Sequence, residues 1–96
     1  MKRMKIMSRL EEYKSLPFSK ALYYLVQHKA KCNRECWAEE GYRWIELHTP
    51  SNRSTMSLPY IYIKTSCGEK VPWVPSTLDI LANDWEALVL QGNRYE

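Results

Sequence analysis

Apolar residues recur at helical spacing just after Pro17: Phe18, Ala21, Leu22, Leu25 and Val26 fall at i, i+3, i+4, i+7 and i+8 and make one stripe. This predicts an amphipathic helix over residues 17–28, with Pro17 suited to its first turn. Tyr23 and Tyr24 fall largely off the stripe and are left to face a partner subunit. The period then drops to two. Residues 30–37 and 42–49 read as strands; in the second, Arg43, Ile45, Leu47 and Thr49 share one face, and Tyr42, Trp44, Glu46 and His48 the other. Residues 50–58 are polar and Pro-bounded, so they read as a loop. Residues 59–65 and 69–74 read as a hairpin turning at Ser66-Cys67-Gly68, and Pro72 makes its second arm an edge strand or a short one. Ser76-Thr77-Leu78-Asp79 is a capping box, and Leu78, Leu81, Ala82 and Trp85 continue from it at helical spacing, predicting a second helix over residues 76–87. Before all this, Met4, Met7 and Leu10 recur every three residues, which fits a frayed helix over 1–16 as well as a segment without fixed structure.

The predicted architecture is α+β: a small antiparallel sheet packed with an N-terminal and a C-terminal helix. The expected organisation is a basic lead segment (1–16), one ligand-binding domain (17–90) and a polar tail (91–96). A 96-residue chain buries a modest core, so assembly into a homo-oligomer would add both core and pocket walls. With 14 Lys and Arg against 11 Asp and Glu, the net charge of +3 falls short of the basic footprint of a dedicated nucleic-acid binder, and no nucleic-acid partner is expected. No apolar run is long enough to span a membrane. Three cysteines and a charged lead without an apolar run behind it predict a cytoplasmic chain with reduced thiols.

The aromatic content changes the picture more. Four Trp and seven Tyr stand against a single Phe, a skew toward rings with a polar handle that serve recognition as well as packing. Trp73 lies between Val71-Pro72 and Val74-Pro75, a rigid setting for a stacking platform or for packing. Arg34 and Trp37 combine a guanidinium for phosphate with a ring for a base. Trp85, on the apolar face of the second helix, reads first as core. Asp79 is explained by its capping role, and on a continuous helix Asp84 at i+5 would point elsewhere, so no acid/base pair is expected. His28, Cys32 and Cys36, with His48 and Cys67 elsewhere, lack the paired spacing of a zinc site; no metal, no cofactor and no catalysis are expected.

The ordered set of motifs carries more than any one of them. Phe18-Ser19-Lys20-Ala21-Leu22, Arg34-Glu35-Cys36-Trp37, Leu58-Pro59-Tyr60-Ile61-Tyr62-Ile63-Lys64-Thr65, Val71-Pro72-Trp73-Val74-Pro75-Ser76 and Asp79-Ile80-Leu81-Ala82-Asn83-Asp84-Trp85 occur in that order. Over about residues 17–88 the chain resembles the phage and prophage family of the second type of Thoeris anti-defence protein, most specifically in the block P-W-x-P-S-x-x-D-x-L-A-x-D-W. The resemblance implies a non-catalytic sponge that sequesters the cyclic ADP-ribose-type signal of a bacterial immune enzyme, with cyclic dinucleotides held by some members at a separate site. It also implies a homotetramer, a dimer of dimers, with pockets between subunits. Carried over by position, Arg34, Trp37, Trp73, Pro75, Asp79, Asp84 and Trp85 are the pocket candidates. In that reading Trp37 or Trp73 stacks on adenine, Arg34 meets the diphosphate, Asp79 or Asp84 accepts ribose hydroxyls, and Tyr60 packs the wall. A second ligand site would draw on Arg53, Ser54 and Thr55 of the variable loop. The chain departs from the resembled pattern at Ala38, often Asn or Gly there, and at His28-Lys29, where the helix usually ends near a Gly. The competing function is inhibition of a host defence enzyme by direct protein–protein contact through the Tyr- and Trp-rich face.

Overall fold

A computed structural model describes residues 9–51 and 57–91. Along them run β1 (Arg9–Leu16), α1 (Phe18–His28), β2 (Lys31–Arg34), α2 (Trp37–Glu40), β3 (Tyr42–His48), β4 (Tyr60–Thr65), β5 (Lys70–Pro72), α3 (Thr77–Leu81) and β6 (Trp85–Gln91). The strands form an antiparallel sheet in the order β1-β6-β2-β3-β4-β5. One row of paired residues crosses the whole sheet: Tyr13, Ala87, Cys32, Ile45, Ile63 and Val71. Its middle four members are buried, and Ala21 and Leu25 of α1, Ala30, Trp37, Trp85 and Val89 complete the core on that side. The class is α+β, as the alternating periods predict.

The locally encoded elements match their sequence signals. The α1 stripe faces the core through Ala21 and Leu25, while Leu22, Tyr23 and Val26 stay exposed. The helix closes on Lys29, which takes the left-handed φ of 55° that a glycine adopts more cheaply; its N–H donates to the Tyr24 carbonyl. The β4–β5 hairpin turns through Gly68 at φ 92°, and Pro72 sits on edge strand β5, where a missing N–H costs no ladder bond.

Besides Tyr42, which a slip of register before Trp44 turns from the face of Trp44, Glu46 and His48 to the core side against Trp37, three expectations need correction. Residues 9–16 are neither a frayed helix nor unstructured but β1, paired with β6 from Arg9↔Gln91 to Leu16↔Trp85. Its four charged residues, Arg9, Glu11, Glu12 and Lys14, give it little strand signal of its own; the partner strand imposes the conformation. Tyr13 anchors it by stacking on Tyr24, with ring centroids 4.6 Å apart and planes 10° from parallel. Second, the strand expected over 30–37 ends at Arg34, and Trp37 opens the short α2, closed by Gly41 at φ 87°. Third, the helix expected over 76–87 stops at Leu81. Trp85, Ala87 and Val89 then alternate as buried strand residues with Glu86, Leu88 and Leu90. Leu78 and Leu81 have helical spacing but no surface to bury against, being 74% and 70% exposed. Pairing β6 between β1 and β2 satisfies the facing backbone of all three strands and buries Trp85, Ala87 and Val89 on one side, which a longer helix would not do. Arg53, Ser54 and Thr55 lie outside the described residues.

The opposite face of the sheet is built by the alternate residues. There Glu46 Oε1 accepts from Trp44 Nε1 at 2.9 Å and from the Tyr62 hydroxyl at 2.8 Å. Burial, and then this bond, push the Tyr62 hydroxyl from 10.0 up to about 12. The folded chain therefore keeps a proton that the unfolded chain has lost, and stability is retained below pH 10 and drains away as pH rises toward about 12. Tyr62→Phe should flatten that alkaline decline, as read by denaturant melts across the same interval. Trp85→Ala should lower the free energy of unfolding by about 3–5 kcal/mol in urea denaturation at neutral pH, because it empties a fully enclosed indole site.

Candidate functional site

β2 ends at Arg34, opposite Trp85 of β6 in the ladder, and the two residues define the site. Trp85 is fully buried and its indole N–H donates to the Asp79 carbonyl at 2.8 Å, which ties α3 to the sheet. Around it Trp37 and Trp73 pack edge to face, with centroids 5.2 and 6.1 Å from Trp85 and 6.1 Å from each other. Phe18 closes the cluster 5.3 Å from Trp85. Each ring is held by the others, so their orientation costs a ligand no ordering.

Arg34 lies above this floor. Its Nε donates to Asp84 Oδ1 at 2.9 Å, Nη2 to Asp84 Oδ2 at 3.4 Å and Nη1 to Asp79 Oδ1 at 3.3 Å. The hydrogen bond to Asp84, reinforced by Asp79, raises the guanidinium further above its already high range. The capping box places Asp79: its Oδ2 accepts from the Ser76 N–H at 3.0 Å, and its own N–H donates to Ser76 Oγ at 3.1 Å. One carboxylate thus caps a helix and holds an arginine. The separation of Asp79 and Asp84 expected on a continuous helix does not occur, because the chain turns out of α3 after Leu81 and brings both to the same side chain.

A hollow of about 390 Å³ opens here, lined by Arg34, Trp37, Glu40, Tyr42, Ile63, Trp73, Val74, Ser76, Leu78 and Asp79. Of the residues singled out in the sequence, Arg34, Trp37, Trp73 and Asp79 line it. Asp84 supports Arg34 from behind, and Trp85 lies beneath as core. Pro75 falls between the lining residues Val74 and Ser76 without lining it itself. Tyr60 is elsewhere, on the sheet's other face, with its ring 4.9 Å from His48. Glu40, Tyr42 and Ser76 were not singled out as site residues. Ser76 carried the capping signal, and Tyr42 and Glu40 flank Gly41, whose left-handed turn carries β3 back past α2. Glu40, Asp79 and nearby Asp84 set three carboxylates against one guanidinium, a surface rich in acceptors.

Two of the thiols, Cys32 and Cys36, are held toward their neutral form. Burial pushes Cys32 up to about 12, and its Sγ–H donates to the Ala21 carbonyl at 3.4 Å. Burial also raises Cys36. Among the described residues no three His, Cys, Asp or Glu side chains converge to hold a metal, and no helix is long and apolar enough to cross a membrane.

With that geometry in place, comparison with known proteins is informative. The profile of the Thoeris anti-defense 2-like domain matches residues 16–88. The chain belongs to this family. A search of curated proteins finds no match. The family name indicates a function directed against the Thoeris defence. In this Thoeris anti-defense 2-like chain the match runs from the last residue of β1 into β6, so it spans each element that lines the hollow.

The Arg34–Asp84 pair is partly exposed, at 20% and 32% of the two side chains, and sits between surface and buried pairs in worth. A double-mutant cycle of Arg34→Gln and Asp84→Asn should show a coupling of about 1–2 kcal/mol in unfolding free energy. Purely additive losses would mean that the pair is not held in solution.

Proposed function

We propose that this chain is a non-catalytic sponge that binds a cyclic ADP-ribose-type signal and so counters Thoeris defence. The observation that carries the reading is the half-exposed Trp73 in an open hollow, fixed by two neighbouring indoles and flanked by Arg34 and Asp79. An adenine stacks on Trp73, with the edge of the buried Trp37 beside it. Ribose hydroxyls donate to Asp79 and Glu40. Three of the five N–H donors of Arg34 are committed to Asp79 and Asp84, and the other two are directed to the diphosphate. Family membership supplies the biological direction.

Sequestration works by mass action, so affinity is the whole of the mechanism. A nanomolar dissociation constant corresponds to about −12 kcal/mol. An open hollow on one subunit covers only part of a ligand that large. The rim residues Val74 and Leu78, with Leu81 beside them on α3, are 83%, 74% and 70% exposed, an apolar edge suited to a second subunit. The proposal accordingly includes a homotetramer with pockets completed between subunits, acting in the cytoplasm of an infected bacterium. A separate site for cyclic dinucleotides belongs to the same reading.

The same apolar rim favours one other reading, direct docking on a host defence enzyme. A thermal-shift panel of cyclic ADP-ribose isomers, cyclic dinucleotides, NAD and ADP-ribose separates the two. Sequestration predicts a large shift with one cyclic compound, recovered intact by mass spectrometry after heat release, and an affinity roughly ten- to hundredfold weaker for Trp73→Ala, the worth of one stacked base. Recovery of a cleaved product would overturn it. No shift with any nucleotide, together with a stable complex with a host protein, would establish the docking reading instead.

A further inference from the structure

The sheet face opposite the core has a composition that the pocket does not explain. Trp44 of β3 and Tyr62 of β4 lie on it, held upright by the single Glu46 oxygen that accepts from both. Lys31 Nζ lies 4.6 Å from the Trp44 ring centroid and Lys64 Nζ 5.6 Å, while Lys70 Nζ lies 5.2 Å from the Tyr62 ring. The Lys31 and Lys70 charges help hold Glu46 ionised, but that carboxylate already serves two donors. From β2 to β5 this face therefore sets three ammonium groups against one committed carboxylate, and the lysines rest over aromatic rings. Arg43, also 5.9 Å from Trp44, adds a further cation at the margin.

Fixed rings beside mobile cations fit a partner that brings flat groups and negative charge together. Trp44 pairs with Lys64, and Glu46 with Tyr62, so Trp44 and Tyr62 are diagonal neighbours on adjacent strands. That places them about 7–8 Å apart, twice the step of about 3.4 Å between stacked bases in a duplex. Bases reaching both rings must be splayed, which single strands allow and duplexes do not. Lysine stems are flexible enough to swing from a ring to a phosphate and uncover the ring for stacking. A second copy of the chain is a poor occupant. Two-fold symmetry would set the same lysines against each other.

We propose that this face binds a short stretch of single-stranded nucleic acid, with bases on Trp44 and Tyr62 and phosphates on Lys31, Lys64 and Lys70. The small net charge of the whole chain argues against a nucleic-acid partner; the concentration of cations on the β2–β5 part of this face, away from Glu86 and Glu12 on β6 and β1, argues for a modest, salt-sensitive one. The surface is independent of the hollow, since Ile63, which lines the hollow, points away from its neighbours Tyr62 and Lys64 on the strand.

The test is fluorescence anisotropy of the full chain with an end-labelled oligothymidylate of about twelve nucleotides, titrated with salt. Three phosphate contacts predict a slope of log affinity against log salt of about −2, and Lys64→Gln/Lys70→Gln should bring it to about −0.7. Trp44→Ala should weaken binding roughly ten- to hundredfold, with circular dichroism reporting its fold. If that variant does not fold, the lysine pair, which is on the surface, carries the test alone. Absence of binding at low salt overturns the proposal, as does an unchanged slope in the lysine variant. Equal affinity for a duplex of the same length, binding confined to cyclic dinucleotides, or self-association lost in the lysine variant overturns it as well.

Discussion

The hydrogen bond from the buried Trp85 indole to the Asp79 carbonyl, at 2.8 Å, is the joint on which the structure turns. The indole would be costly to bury with its N–H unmet. Meeting it draws α3 down onto the sheet, and α3 brings Asp79 and Ser76 with it. Because Trp85 also pairs with Arg34 across the β2–β6 ladder, the same placement delivers Asp79 to the guanidinium. Core and site are thus one construction. The aromatic cluster packs the domain, and its half-buried member Trp73, with buried Trp37 beside it, floors the hollow.

This joint explains what was legible in the sequence and what was not. The α1 stripe, the Gly68 hairpin and the Ser76–Asp79 capping box are local devices, with spacing and chemistry contained in a dozen residues, and they were readable. β1, α2 and β6 depend on partners distant in the chain. Residues 87–90 are all apolar and show no alternation in sequence, Leu78, Leu81, Ala82 and Trp85 happen to fit a helix, and only the neighbouring strands impose the alternating burial seen over residues 85–90. The site was half legible for the same reason. Arg34, Trp37, Trp73 and Asp79 stand out by residue type. The convergence of Asp79 and Asp84 could not be read while both were placed on one helix, and Tyr60 shares a motif with Ile63 but alternation sends it to the other face.

That alternation has a chemical consequence. Along β4, Ile63 faces the indoles while Tyr62 and Lys64 face away, so one strand serves two surfaces of opposite character. The hollow sets Arg34 beside Asp79, with Asp84 behind it and Glu40 elsewhere in the lining; the outer face gathers Lys31, Lys64 and Lys70 about Trp44, Glu46 and Tyr62. A net charge of +3 averages over this division and conceals it.

If the hollow holds a nucleotide as proposed, the division also bears on what that ligand must contribute. A diphosphate meets Arg34 only beside two carboxylates that already neutralise it, so phosphate contact alone supplies little net energy there. Selectivity has to come from the parts of the ligand that suit acceptors and rings, namely hydroxyls, amino groups and a base. On the proposed reading, such a pocket would distinguish a nucleotide by its sugar and base, and tolerate the phosphates as the link between them.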